Sequence, residues 1–443
     1  MTNLLKTTGA WPQPLLGRSA EVDPTDLDGA VKAGAFDGLK KAVGLSPAGV
    51  VGEIRDAGLR GRGGAGFPTA DKWQLAASTP ADRRYVVANG YGADPAVRTD
   101  VVLMERDPFA LIEGLAIAAW AIGADTAIIA VRATETDAIR GLEAALAAAE
   151  EAGFVGDELL DTGRSLSIEI RPVQGAYMLG EETVLLKALE GRRGQPEQRP
   201  PHPAERGLFG RPTVVQNIQT LALAAWILRE GAQAFRAIGD PAAPGTILVH
   251  VRGGGGAGVA EVPLGTPLRA IVALAGTITR SGPAPRAILV GGPSGGILPA
   301  DLLDTPYSFD ELRAVGAHVG SGSVVATAAE ADVLDLAELL TRFCAGEACG
   351  KTIPCRIGTR RLDEIVTRIN AGTPRPTDGQ LLADLSADIV ASGLCDHERL
   401  ATLPLTSVMR YFQADLEAKL QPAQGQAAAP HELAAVADGD PAQ

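Results

Sequence analysis

Residues 58–69 read GLRGRGGAGFPT, with glycine at 61, 63, 64 and 66. A regular helix or strand does not hold glycine at that density, because glycine loses more backbone freedom on folding than any other residue. The segment must be a loop, and one whose backbone N–H groups can close round an anion with no Cβ in the way. Arg60, Arg62 and Lys72 add positive charge beside it in a chain whose net charge is −13, which favours a phosphate-bearing ligand. The plain alternative is a flexible hairpin or linker, and a glycine-rich match alone does not decide between the two. The acidic balance of the whole chain argues against nucleic acid as a partner.

Around this loop the sequence alternates strand with helix. An apolar run at 85–88 stops at Asn89-Gly90, a strand entering a loop. Helical spacing covers 108–122, a buried strand 127–131, an Ala- and Glu-rich helix 134–149, and a further strand 166–170. Such alternation predicts an α/β layer on a largely parallel sheet, occupying 46–240 after a lead-in, 1–45, without strong period. Residues 241–245 read as a linker. Short strands, a glycine run at 253–256 and a short helix near 268–275 then predict a small β-rich module over 241–326. Helical period dominates 327–420, with breaks at the cysteine segment and at 373–376, and 421–443 reads as a disordered tail. No stretch reaches the roughly 20 uninterrupted apolar residues of a membrane span, and the start lacks a basic region followed by an apolar run. A cytoplasmic protein with no direct membrane insertion is expected.

The four cysteines, Cys344, Cys349, Cys355 and Cys395, all fall in the helical part. Structural disulfides are rare in a reducing compartment, so such clustering points to metal binding or redox chemistry. The plain reading is four small buried hydrophobes. Zinc also takes four thiolates, but two pairs of closely spaced thiols, the usual zinc pattern, are missing.

Three blocks taken together resemble one family. GLRGRGGAGFPTADKW, at 58–73, is similar to the flavin-binding loop of the NADH-binding flavoprotein subunit of respiratory complex I. That family also holds the diaphorase subunits of NAD-dependent hydrogenases and formate dehydrogenases. Residues 175–220, GAYMLGEETVLLKALEGRRGQPEQRPPHPAERGLFGRPTVVQNIQT, are similar to its next signature. EACGKTIPCRIGTRRL, with GLCDHERL round Cys395, is similar to its iron–sulfur segment. The resemblance runs in order over about residues 45–420. It implies an α/β fold class with an FMN-binding Rossmann-like domain, a ubiquitin-like β-grasp module of the SLBB type, and a C-terminal helical bundle carrying a 4Fe–4S cluster. It further implies an NADH dehydrogenase of the diaphorase type, passing hydride from NADH to FMN and single electrons through the cluster to a partner. The partners so implied are a small 2Fe–2S subunit or ferredoxin and a larger redox subunit. Carried over residue by residue, the flavin contacts are Gly61, Gly63, Gly64, Gly66, Lys72, Asn89, Gly180, Glu181, Glu182, Asn217 and Thr220, with Arg62 in the same loop. Phe67, Asp94, Glu181, Glu182 and Arg199 are the residues for nucleotide placement, and Cys349, Cys355 and Cys395 are cluster ligands.

The departures from the family are equally specific. Residues 89–96 read NGYGADPA where the family has N-A-D-E-x-E-P-G. Tyr91 and Gly92 therefore replace an acidic pair close to the flavin, and Asp94 keeps the later carboxylate near the nicotinamide. Leu75 stands where an aromatic is common, Arg199 replaces a Lys, and His202 replaces a Phe. An arginine still holds a phosphate, even bidentately. The family's C-x2-C-x2-C becomes Cys349, Thr352, Cys355, followed by Cys395. The fourth ligand is open between Cys344, Thr352 and water, and a three-iron cluster or none at all is a further alternative. The altered 89–94 loop sustains a second reading: a flavin and iron–sulfur relay module that no longer uses NADH and exchanges electrons with a ferredoxin-like partner.

Overall fold

A computed structural model describes residues 2–7, 11–276 and 284–421 of the chain. The tail expected from 421 onward lies, save for its first residue, outside the described residues. The first sheet is wholly parallel, built from β1 (Tyr85–Gly90), β2 (Thr126–Arg132), β3 (Ser167–Val173) and β4 (Thr213–Asn217) in the order β3-β2-β1-β4. Its strands read as apolar runs because both faces are covered. Val86, Ala88, Ile129 and Val214 point into one core with the helices Pro108–Ile122 and Ile218–Glu230. Their neighbours Tyr85, Val87, Ile128 and Val215 point into a second core, which also takes Cys395. The period of two along a strand divides them so.

The helix Pro108–Ile122 is capped by Asp107, which accepts the Ala110 N–H at 3.1 Å, and it ends on Gly123. Its one internal charge, Glu113, is buried and accepts the Leu39 N–H at 3.1 Å. That bond ties down the lead-in, which is more ordered than its sequence suggests. It forms helices Leu27–Lys32 and Asp37–Val43, each too short to register a helical period.

The expected linker is instead a two-stranded ribbon, β5 (Gly239–Asp240) and β6 (Ala243–Pro244), with Pro241 and Ala242 as its turn. Beyond it lies a mixed five-stranded sheet. β7 (Thr246–Gly253) and β8 (Gly256–Pro263) form an antiparallel hairpin, followed by β9 (Ala287–Val290), β10 (Gly296–Pro299) and β11 (Ser323–Ala326). The order is β10-β9-β11-β7-β8, with β11 parallel to β7. One face, carrying Ile288, Val290 and Leu298, receives Leu268, Ile271 and Val272 of the helix Leu268–Ala273, a β-grasp arrangement. The alternate residues Ala287, Leu289 and Ile297 face the C-terminal helices, among them Val333–Gly346, Thr359–Asn370 and Leu403–Tyr411. The helical part is therefore built onto the back of this sheet.

Candidate functional site

The first three strands run outward in chain order and the fourth returns to the other side of β1. The carboxyl ends of β1 and β4 are thus a topological switch point, where open α/β sheets bind ligands. Asn89 and Asn217 stand opposite each other across it, and the glycine loop is anchored there. Thr220 Oγ1 accepts the Arg62 N–H at 2.9 Å, and Gly61 N–H closes the loop on the Phe67 carbonyl at 2.8 Å. A Cβ on Gly63 would lie 3.5 Å from that of Asn217. From Gly63 to Gly66 the N–H groups make no well-formed hydrogen bond to any described residue. Open N–H groups at such a switch point suit a phosphate. Phe67, 53% exposed at the end of the loop, offers a ring face to a stacking partner. Gly64 and Gly66 serve another purpose. Both have positive φ, and a Cβ would meet the Gly320 carbonyl at 2.9 Å in the first case and the Phe309 ring at 2.6 Å in the second. The β-grasp module demands these two.

A charged network lies beside the loop. Glu181 caps the helix Glu182–Leu189 by accepting the N–H groups of Thr183 and Val184 at 2.9 and 3.0 Å, and its other oxygen accepts from Arg199. Glu182 pairs with Lys72 at 2.9 Å and with Arg199 at 3.1 Å, and Lys72 also donates to the Val215 carbonyl at 3.1 Å. Burial works to raise the Glu182 pKa, but the two cations outweigh it and hold the carboxyl below the usual range. Asn89 Nδ2 donates to the Gly180 carbonyl at 2.9 Å, fixing the turn that presents Glu181. Tyr91 is turned into the core under this turn, where its hydroxyl donates to the Gly175 carbonyl. Arg132 lies 4.7 Å over the Tyr91 ring and donates to the carbonyls of Gly92 and Ala93. The lost acidic pair has become a clamp on the 91–93 backbone.

At the other end lie Cys349, Cys355 and Cys395, and the Cys355 sulfur accepts the Gly350 N–H at 3.4 Å. Interaction between the Cys349 and Cys355 thiols lowers Cys349 to about 6 and holds Cys355 up. Burial pushes Cys395 up to about 11. An N–H group aimed at sulfur suits a thiolate ligand of an iron–sulfur cluster, whose potential it tunes. Among the described residues, no three His, Cys, Asp or Glu side chains converge on a point that could hold one metal ion. A four-iron cluster takes one ligand at each corner and so suits thiols spread in this way. Cys344 behaves oppositely. Its buried thiol donates to the Pro293 carbonyl at 3.5 Å, and burial pushes it up to about 12, so it keeps its proton. Thr352 Oγ1 accepts the Cys355 N–H at 3.2 Å and donates to Glu398 Oε1 at 2.5 Å. A cavity of about 450 Å³ is lined by Glu181, Arg199, Thr352 and Cys395 among others, so the charged network and the cysteine segment share a wall.

Residues 54–225 match the family described as the Nuo51 FMN-binding domain, and 335–419 the NADH-ubiquinone oxidoreductase-F iron–sulfur binding region. The F 2 subunit of the NADH-quinone oxidoreductase of Rhizobium meliloti is 36% identical over 416 residues, 92% of this chain and 98% of that one. The chain belongs to the family of NADH-quinone oxidoreductase F subunits. NADP-reducing hydrogenase subunit HndC of Solidesulfovibrio fructosivorans is 36% identical over 398 residues, 90% of this chain and 81% of that one. Among solved structures, an NAD+-reducing NiFe-hydrogenase in the H2-reduced state superposes with a TM-score of 0.83 at 32% identity, covering 96% of this chain and 68% of that one.

Within the fold of this family, Gly61, Gly63, Lys72, Asn89, Gly180, Glu181, Glu182, Arg199, Asn217 and Thr220 cluster round the switch point. Three of the expected residues are turned elsewhere. The buried Arg62 guanidinium donates to the carbonyls of Thr246, Pro244 and Arg60 at 2.9, 2.6 and 2.7 Å, and burial lowers its pKa to about 9. It fastens the loop to the second sheet and offers no side-chain donor to a phosphate. Asp94 is buried, accepting from Ser321 Oγ at 2.7 Å and Ala96 N–H at 2.9 Å. Cys344 is a core thiol and does not join the other three. Arg60, read as part of the positive surround, pairs with Asp310 at 2.9 Å, and Leu75 packs into the sheet core. Two residues escaped notice. Asp100 is half-buried, desolvation raises its pKa, and it accepts from Asn217 Nδ2 at 2.9 Å and Gln219 Nε2 at 3.0 Å, so it sets the Asn217 amide. Nothing in the sequence marks it. Glu398 had a signal, an acidic residue three places after Cys395.

Proposed function

We propose that the chain takes hydride from NADH onto FMN at the switch point and passes single electrons through a 4Fe–4S cluster to a redox partner. The observation that carries this is the set of open N–H groups from Gly63 to Gly66 beside Asn89 and Asn217, together with a cavity that runs from Glu181 and Arg199 to Thr352 and Cys395. Gly61, Gly63 and Thr220 shape the phosphate cradle, Lys72 and Glu182 border it, and Asn89 with Gly180 fixes the turn beneath the flavin. Phe67 stacks on the dinucleotide, and Arg199 with Glu181 and Glu182 sets the polar wall of its pocket. No side chain is needed as acid or base, since the flavin carries the hydride chemistry and the protein supplies position and field. Cys349, Cys355 and Cys395 hold the cluster. We assign 46–240 to the flavin domain, 241–326 to the β-grasp module and 327–420 to the cluster domain.

The partner is a small 2Fe–2S subunit or ferredoxin, backed by a larger redox subunit. Ile353 and Ile357, 77% and 50% exposed beside the cysteines, present an apolar face for it. No helix among the described residues is long and apolar enough to cross a membrane, in keeping with a cytoplasmic location. The relay reading loses its support, because Tyr91 is buried in the core and the dinucleotide wall is assembled without it. The test is anaerobic reconstitution with FMN, iron and sulfide, followed by NADH. Bleaching of the flavin band is expected. A flavin reduced by dithionite but untouched by NADH would overturn the NADH assignment, and a colourless protein would overturn the whole reading.

A further inference from the structure

Glu398 is a buried carboxylate that forms no ion pair among the described residues. It is 1% exposed, within the short helix Asp396–Leu400 that follows Cys395. Its Oε1 accepts the Thr352 hydroxyl at 2.5 Å and its Oε2 the Leu394 N–H at 2.8 Å. The nearby cations serve other groups: Arg399 binds Asp396 and the Gly393 carbonyl, and Lys351 binds Glu197 and the Pro196 carbonyl. Glu398 is tied to the cysteine segment from both sides: Thr352, whose hydroxyl it takes, accepts the Cys355 N–H at 3.2 Å, and Cys395 is the N-cap of the helix that holds Glu398. A carboxylate removed from water beside three thiols is costly unless a cation joins it. Thr352 occupies the place between Cys349 and Cys355 where a further thiolate would complete the site, and its hydroxyl is directed at Glu398 instead. Cys344, the remaining thiol, is committed to Pro293.

We propose that Glu398 is the fourth ligand of the cluster, one carboxylate oxygen taking the iron at the corner that the three cysteines leave open. Thr352 is a positioning residue that holds the carboxylate by its hydrogen bond. Oxygen ligands suit iron in non-haem sites. The binding is a ligand exchange: an Fe–O bond forms, the water otherwise held at that corner leaves, and no oxidation state changes. A carboxylate holds this iron less firmly than a thiolate would, so one iron is labile. The inference rests on the cluster reading above.

The test uses the full chain, reconstituted anaerobically with iron and sulfide, with iron per chain and the EPR spectrum as readouts and bound FMN as the check on folding. Wild type is expected to hold about four irons and to lose one to ferricyanide with a chelator, leaving a three-iron signal. Glu398→Gln keeps the shape and both hydrogen-bonding positions but is a far poorer ligand. It is expected to hold about three irons and to show the three-iron signal without treatment. Adding Thr352→Cys to Glu398→Gln restores the fourth iron and removes its lability, while Cys344→Ser changes neither readout. The proposal is overturned if Glu398→Gln retains wild-type iron and spectrum, if Thr352→Cys fails to restore the fourth iron, or if Cys344→Ser loses it. Wild type that takes up FMN but no iron overturns the cluster reading itself, an outcome distinct from these.

Discussion

The charged network at the switch point and the cysteine segment handle charge in opposite ways. At the flavin end Lys72, Arg199, Glu181 and Glu182 neutralise one another, and Asn217 is set by Asp100. Backbone N–H groups are what remains open. That end is organised before a ligand arrives, so little ordering cost is left for binding. At the cysteine end Cys355, Cys395 and Glu398 are buried, Cys349 is half-buried, and among the described residues no cation pairs with Glu398. That end is completed only by its occupant, and metal binding there is part of the folding free energy. One chain thus combines a preformed site with an occupant-dependent one.

The sharpest way to break this contrast is Cys395→Ser. Loss of one of three thiolates is expected to cut bound iron to below about a tenth of wild type, while FMN content and bleaching by NADH persist. Iron analysis beside the visible spectrum checks it, and joint loss of FMN would show that the two ends are not independent. Gly66→Val attacks the other end. It adds strain at positive φ and drives a side chain into Phe309, for a loss of roughly 3 kcal/mol. Denaturant unfolding followed by flavin fluorescence should show both a lower midpoint and weaker FMN retention.

A smaller effect tests the charge network. The Glu182 pKa is depressed in the folded chain, so its contribution is present above the ordinary glutamate value of about 4.3 and is lost as pH falls through the folded value. Glu182→Gln should therefore cost about 1 kcal/mol at neutral pH, and the difference from wild type should vanish in acid. Unfolding midpoints measured across that range decide it. Phe67→Leu sharpens the contrast at least cost to the fold. Losing a stacked ring worth about 0.5–1.5 kcal/mol should raise KM for NADH severalfold with little change in kcat or in iron content.

Much of the frame was legible without coordinates. The helix expected at 108–122 is observed as Pro108–Ile122, and the strands at 85–88 and 127–131 extend only slightly, to Tyr85–Gly90 and Thr126–Arg132. Parallel strands covered on both faces leave uninterrupted apolar runs, and a long buried helix bounded by Asp107 and Gly123 declares both ends. The lead-in helices stayed hidden, being six and seven residues long, and the 239–244 ribbon looked like linker because two-residue strands carry no period. Within the candidate site, the glycine loop and the thiol spacing were visible because both are local patterns.

What the sequence determined by itself is therefore whatever repeats or clusters along the chain: strand and helix order, a loop only glycine can make, and three thiols at set intervals. Tertiary structure alone decided where side chains point. Arg62 looks like a phosphate ligand until Pro244 and Thr246, far along the chain, are seen to take its guanidinium. Cys344 looks like a spare ligand until the Pro293 carbonyl is seen to accept its hydrogen bond. Asp100 and Glu398 acquire meaning only when Asn217 and Thr352 arrive beside them. The physical reason is that a hydrogen bond or ion pair depends on a partner's position in space to within a few tenths of an ångström, while sequence spacing fixes such positions only within a single element.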